Sequence, residues 1–170
     1  MTRITPFKRL VLGLVLLAGA AAAQAQDPFK INPGLNDAWW NPATAGQGFF
    51  FNVFPDQELI FMSWFTFDTE RPPEDITALL GEPGHRWITA LGGWEGNVAT
   101  LTAELTTGGR FDSVQPEANQ TGDYGTFTIT FNDCNSASLT YDLPGPGQSG
   151  SIELSRVTTD NVPLCETLAE

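Results

Sequence analysis

The chain has 170 residues, with 20 acidic against 8 basic side chains, a net charge of −12, 41% hydrophobic residues and two cysteines. That length suits one domain with a sizeable core. The acidic balance repels phosphate backbones and anionic lipid headgroups, which argues against nucleic-acid and membrane-surface binding.

Arg3, Lys8 and Arg9 precede an apolar run over 10–23 that ends in Ala23-Gln24-Ala25. The run is shorter than the roughly 20 residues needed to span a bilayer, and its end is a small-x-small cleavage pattern. Residues 1–25 are therefore predicted to be a signal peptide, and 26–170 a single β-rich domain that is periplasmic or secreted. No cysteine near the cut offers a site for lipid attachment, so no membrane insertion of the mature chain is expected. All 20 acids follow position 25, against the five cations Lys30, Arg71, Arg86, Arg110 and Arg156, so the mature chain carries −15.

Residues 26–37 read as an irregular lead-in, broken by Pro28, Pro33 and Gly34. The aromatic runs 49–54 and 59–67, joined across Pro55-Asp56-Gln57, predict a hairpin. Both faces of its second strand are apolar, with Phe61, Phe65 and Phe67 on one and Ile60, Met62 and Trp64 on the other. Such a strand is covered on both sides or belongs to an interface. Proline and acids at the front of 71–81 and Gly81 at its back predict a short helix. A second hairpin is expected over 87–91 and 98–105, with a short strand over 110–114. Phe127, Ile129 and Phe131 alternate with threonines, and Leu139, Tyr141 and Leu143 then Ile152 and Leu154 continue the inward set. The expected fold is all-β, an antiparallel meander of seven or eight strands forming a barrel or a sandwich, with one short helix.

Cys134 and Cys165 in an exported chain predict one disulfide, stitching the tail to the 127–143 hairpin. With a single histidine the chain lacks the partners a zinc site would want, so no metal site is expected.

Trp39-Trp40-Asn41-Pro42 with Gly46-Gln47-Gly48-Phe49 resembles the N-terminal signature of a family of secreted bacterial proteins. Gly84-His85-Arg86-Trp87, Phe131-Asn132-Asp133-Cys134 and Asn161-Val162-Pro163-Leu164-Cys165-Glu166 are similar to the rest of that pattern. The resemblance implies export and a β-rich fold; the family has no established activity, so it implies no mechanism.

Of the five tryptophans, Trp64 and Trp87 fall within apolar strands and are expected in the core. Trp39, Trp40 and Trp94 fall at predicted loops and turns beside Asn41, Glu95 and Asn97. Exposed indoles beside amides and acids suit the apolar faces and hydroxyls of a sugar ring, so these six residues form a candidate glycan-binding patch. His85 has no Gly-x-Ser-x-Gly nucleophile to serve. Asp68, Glu70, Glu74 and Asp75 are candidates for a glycosidase-like carboxylate pair whose separation sequence proximity does not establish, and Asp68, Glu70 and Asp75 match no calcium-loop spacing. No catalytic residue and no cofactor is assigned. The expected function is a non-catalytic binding or structural module. The alternatives are a lipocalin-like barrel carrying a small apolar ligand, or a hydrolase using His85 or a carboxylate pair.

Overall fold

The computed structural model describes residues 29–170; the expected signal peptide and its cleavage site lie outside the described residues. The described residues form eight antiparallel strands: β1 (Asp37–Trp40), β2 (Gly48–Phe54), β3 (Leu59–Phe67), β4 (His85–Glu95), β5 (Val98–Thr107), β6 (Asn119–Phe131), β7 (Ser136–Leu143) and β8 (Gln148–Arg156). Each pairs with the next, and β1 pairs with β8, so the meander closes into a barrel rather than folding as a sandwich. A short helix, α1 (Val162–Ala169), follows β8.

Period-2 alternation builds the wall. In β6, Phe127, Ile129 and Phe131 are buried while Thr126, Thr128 and Thr130 face away from the core. Phe51, Ile60, Met62, Leu101, Leu139 and Leu154 join them from the other strands. Each such buried side chain is worth about 1.5–3 kcal/mol relative to exposure, which is what holds the register against a one-residue slip.

The turns at 55–58, 96–97 and 132–135 share one end of the barrel, and that end is sealed. The 3-10 turn Pro33–Leu35 lays Leu35 across it, and Trp39 sits fully buried against Phe51 and Phe131, its indole N–H donating to the Leu35 carbonyl at 3.2 Å. Helix α1 packs on the 3-10 turn and is bonded through Cys165 to Cys134 in the β6–β7 turn, with Cα atoms 5.8 Å apart. A Cβ at Gly34 would lie 2.3 Å from the Cys165 Cα, so the tail docks this closely because position 34 has no side chain. At the same end the Asn97 amide donates to the Phe131 carbonyl at 3.0 Å, while the Phe131 N–H donates to the Asn97 carbonyl. Asn97→Ala is expected to cost about 1 kcal/mol in urea unfolding, the net worth of one partly buried hydrogen bond.

Several local expectations are corrected. Residues 71–81 form no helix; one turn, with the Ile76 N–H donating to the Pro73 carbonyl, is followed by irregular chain. Ile76, Leu79 and Leu80 are all exposed, so a helix there would bury no apolar face, and short helices need one. The helix forms instead at Val162–Ala169, with Pro163 in its first turn and Cys165 buried. Residues 110–114 make only the isolated bridge Arg110↔Ser113. Trp39 and Trp40 lie in β1 and Trp94 lies inside β4, not in loops. Trp87 is 51% exposed rather than in the core, because the β4 register turns Ile88 and Ala90 inward.

Candidate functional site: the open mouth of the barrel

Antiparallel order sends the longer loops, at 41–47, 68–84, 108–118 and 144–147, to the end opposite the seal. There the barrel is not filled. A cavity of about 550 Å³ opens among them. Its walls are the inward positions nearest the mouth, Phe49 of β2, Trp64 of β3, Ile88 of β4, Tyr141 and Leu143 of β7, and Ile152 of β8, and Phe67 and Trp87 reach its lip from the outer face. They continue the alternation that fills the sealed half, so cavity and core are two layers of one interior.

The aromatic part of the wall is ordered. Phe49 stacks on Trp64 with centroids 5.2 Å apart and planes 17° apart, and Tyr141 meets Trp64 at 5.6 Å with the rings tilted by 51°. Phe127 meets Trp64 edge-on from the core below, at 6.0 Å. A Cβ at Gly150 would come within 2.6 Å of the Tyr141 hydroxyl oxygen, so the absence of a side chain there lets the tyrosine lie against β8.

Nearer the rim the lining turns polar without becoming charged overall. Asn41, Gln47, Thr66 and Gln148 border the opening, and the Thr66 hydroxyl donates to the Gln47 side-chain oxygen. Arg86 and Asp68 are the charged members, and they pair with each other at 2.6 Å, each partly exposed. Arg86 also donates to the Pro83 carbonyl at 2.8 Å, which ties the β3–β4 loop to the rim. An apolar, ring-lined floor under amides and hydroxyls suits an uncharged molecule with one polar end.

The six residues expected to form a glycan patch do not meet. Asn41 borders the mouth and Trp40 ends β1 beside it, whereas Trp94, Glu95 and Asn97 lie at the sealed end, a barrel length away. Trp39 is 0% exposed and belongs to the seal, and Trp94 is half-buried against the core. Sequence proximity to turns placed these indoles without saying at which end each turn falls. His85 is on the outer face, its Nδ1 accepting from the Glu82 N–H at 3.4 Å and its ring against Phe67. Glu70, Glu74 and Asp75 lie exposed in the 68–84 loop. Among the described residues no three His, Cys, Asp or Glu side chains gather as a metal site would require.

Sequence reasoning missed Gln47, Tyr124 and Gln148 as site residues, and it held an open barrel only as an alternative, without saying which residues would line it. Tyr141 and Ile152 were legible as inward, yet alternation does not distinguish a filled layer from an open one. Inward glycines at 125 and 150, close to the mouth, were the available signal. Comparison with family models, curated proteins and solved structures finds no match to this chain.

Proposed function

We propose that the protein is a binding protein whose mouth takes one small, uncharged, largely apolar ligand carrying a flat ring. The observation that carries this reading is the cavity of about 550 Å³ walled by Phe49, Trp64, Ile88, Tyr141 and Ile152. Its volume falls within the range of about 300–1,000 Å³ usual for small-molecule sites, and eight-stranded barrels are wide enough to hold one such ligand. The partly buried Trp64 and Tyr141 offer ring surface to the ligand, and the rim amides of Asn41, Gln47 and Gln148 offer donors and acceptors to an oxygen at its outer end. The Cys134–Cys165 bond supports residence in an oxidising compartment, where such carriers work outside the cytoplasm. A hydrolase using His85 or a carboxylate pair is less well supported, because His85 lies outside the cavity lining and, among the described residues, Asp68 is the one carboxylate in it.

The test is a titration with the neutral fluorophore N-phenyl-1-naphthylamine, which matches the cavity in size and polarity. One molecule should bind per chain, with energy transfer from Trp64, and Ile152→Trp, which fills the cavity, should weaken binding by at least about tenfold. Ile152 is half-buried at the mouth, so the fold should survive. Failure of the probe to bind, or binding that Ile152→Trp leaves unchanged, would defeat this reading. Preferential binding of a neutral oligosaccharide at the same Trp64 would move the ligand class to glycans.

A further inference from the structure

The outside of the barrel has two unlike halves. On β5 to β8 the outward positions are Thr100, Thr102, Glu104, Thr128, Thr140 and Glu153, an ordinary solvated surface. On β2 to β4 they are Phe50, Phe61, Phe65, Phe67, Trp87 and Leu91, between about a third and a half exposed. The register makes these one patch. Phe65 is opposite Trp87, Phe61 is opposite Leu91, and Phe50 meets Phe65 edge-on at 5.9 Å. The outward residues between them, Asn52, Ser63 and Thr89, are uncharged, and the ionisable side chains stand at the edges: His85 and Glu95 at the two ends of β4, and Glu104 opposite Thr89 on β5.

We propose that this wall is a self-association face, on which two copies of the chain pair sheet against sheet. Area is the first argument. A large aromatic can bury about 150–250 Å², so six side chains near half exposure offer on the order of 500 Å². With the neutral residues among them, the patch approaches the roughly 800 Å² per partner of a standard interface and exceeds scattered surface apolarity.

Charge selects the occupant. The mature chain carries −15, so two copies approaching on almost any other surface bring like charges together. Inside its edges the β2–β4 wall is free of charge, and unlike the hydroxyl-rich β5–β8 side it is apolar. A two-fold contact there places the same apolar strip on both sides, with walls about 10 Å apart as in packed sheets. A cationic partner would find nothing on this wall to pair with, and an anionic membrane would be repelled by the rest of the molecule.

The experiment is sedimentation velocity on the purified, disulfide-bonded protein over about 1–100 µM. A dimer is expected, tightening as salt rises from about 50 to about 500 mM, because screening weakens repulsion and leaves apolar contact intact. Trp87→Glu and Phe65→Glu should each weaken dimerisation by about 100-fold or more, since the two-fold axis sets two buried like charges close together. Thr128→Glu, on the opposite wall, should leave it unchanged. Far-UV circular dichroism checks the fold, and Phe50→Ser carries the same expectation should either glutamate variant unfold. A monomer at every concentration, a dimer indifferent to the wall variants, or a monomer that binds neutral phosphatidylcholine vesicles through this wall would overturn the proposal. No ligand enters the assay, and Phe65 and Phe50 lie outside the cavity lining, so the outcome at those two positions is independent of the mouth.

Discussion

Arg156→Met is expected to lower the unfolding free energy by about 3–5 kcal/mol, the usual result of breaking one side of a buried ion pair. Arg156 ends β8 inside the sealed end, and its side chain is almost wholly buried. Its guanidinium donates to Asp37 at 2.7 Å, to the Gly34 carbonyl and to the Cys134 carbonyl, and lies 4.8 Å from the centre of the Trp39 ring. One cation thus joins the 3-10 turn, β1 and the β6–β7 turn to the strand that closes the ring. Methionine has comparable bulk but leaves the Asp37 carboxylate and two carbonyls without their donor in a poorly solvated place. Urea unfolding of Arg156→Met, of Asp37→Leu and of the double variant measures this. The double variant should recover part of the loss, because it no longer strands a charge. A loss below about 1 kcal/mol in Arg156→Met would mean that water reaches the site and that the clamp is ornamental.

The second large effect is expected from the double variant Cys134→Ser with Cys165→Ser. The bridge spans 31 residues, for which the chain-entropy model gives about 3–4 kcal/mol. Helix α1 has eight residues, too few to stand alone, so it should detach from the 3-10 turn when the bond is gone. Guanidinium unfolding should report the lost stability, and hydrogen exchange should show the 162–169 amides exchanging freely. The bridge lies at the sealed end, so affinity of the mouth for N-phenyl-1-naphthylamine should stay within about twofold while the barrel remains folded. If affinity fell in proportion to stability, seal and mouth would be one cooperative unit, and the two layers of the interior would not be separable.

These two variants describe a division of labour along the barrel axis. Trp39, Arg156 and the disulfide hold one end shut, and the other end, free of that duty, keeps its ring-lined opening. The outer β2–β4 wall adds a third surface, apolar for a reason that the interior does not supply.

Strand alternation was readable from the chain because it is a local property: successive side chains of an extended backbone point to opposite faces, whatever the strand pairs with. Thus Phe127, Ile129, Phe131, Leu139 and Leu154 were assigned inward and are buried, and the all-β class with its disulfide followed from the residues. The same logic found two apolar faces on β3 but did not say which would turn outward, and it put Trp87 in the core because a strand in isolation has no inside. Helix signals at 71–81 were equally local, and they failed where the tertiary structure offered Ile76, Leu79 and Leu80 nothing to pack on. Ring closure by β1 and β8 decided the rest. It sent Trp94 and Asn41 to opposite ends, buried Trp39 under Leu35, and left an open layer above a filled one. Those outcomes depend on contacts between residues more than a hundred positions apart, as between Asp37 and Arg156, and no period of two or of 3.6 carries information over that distance.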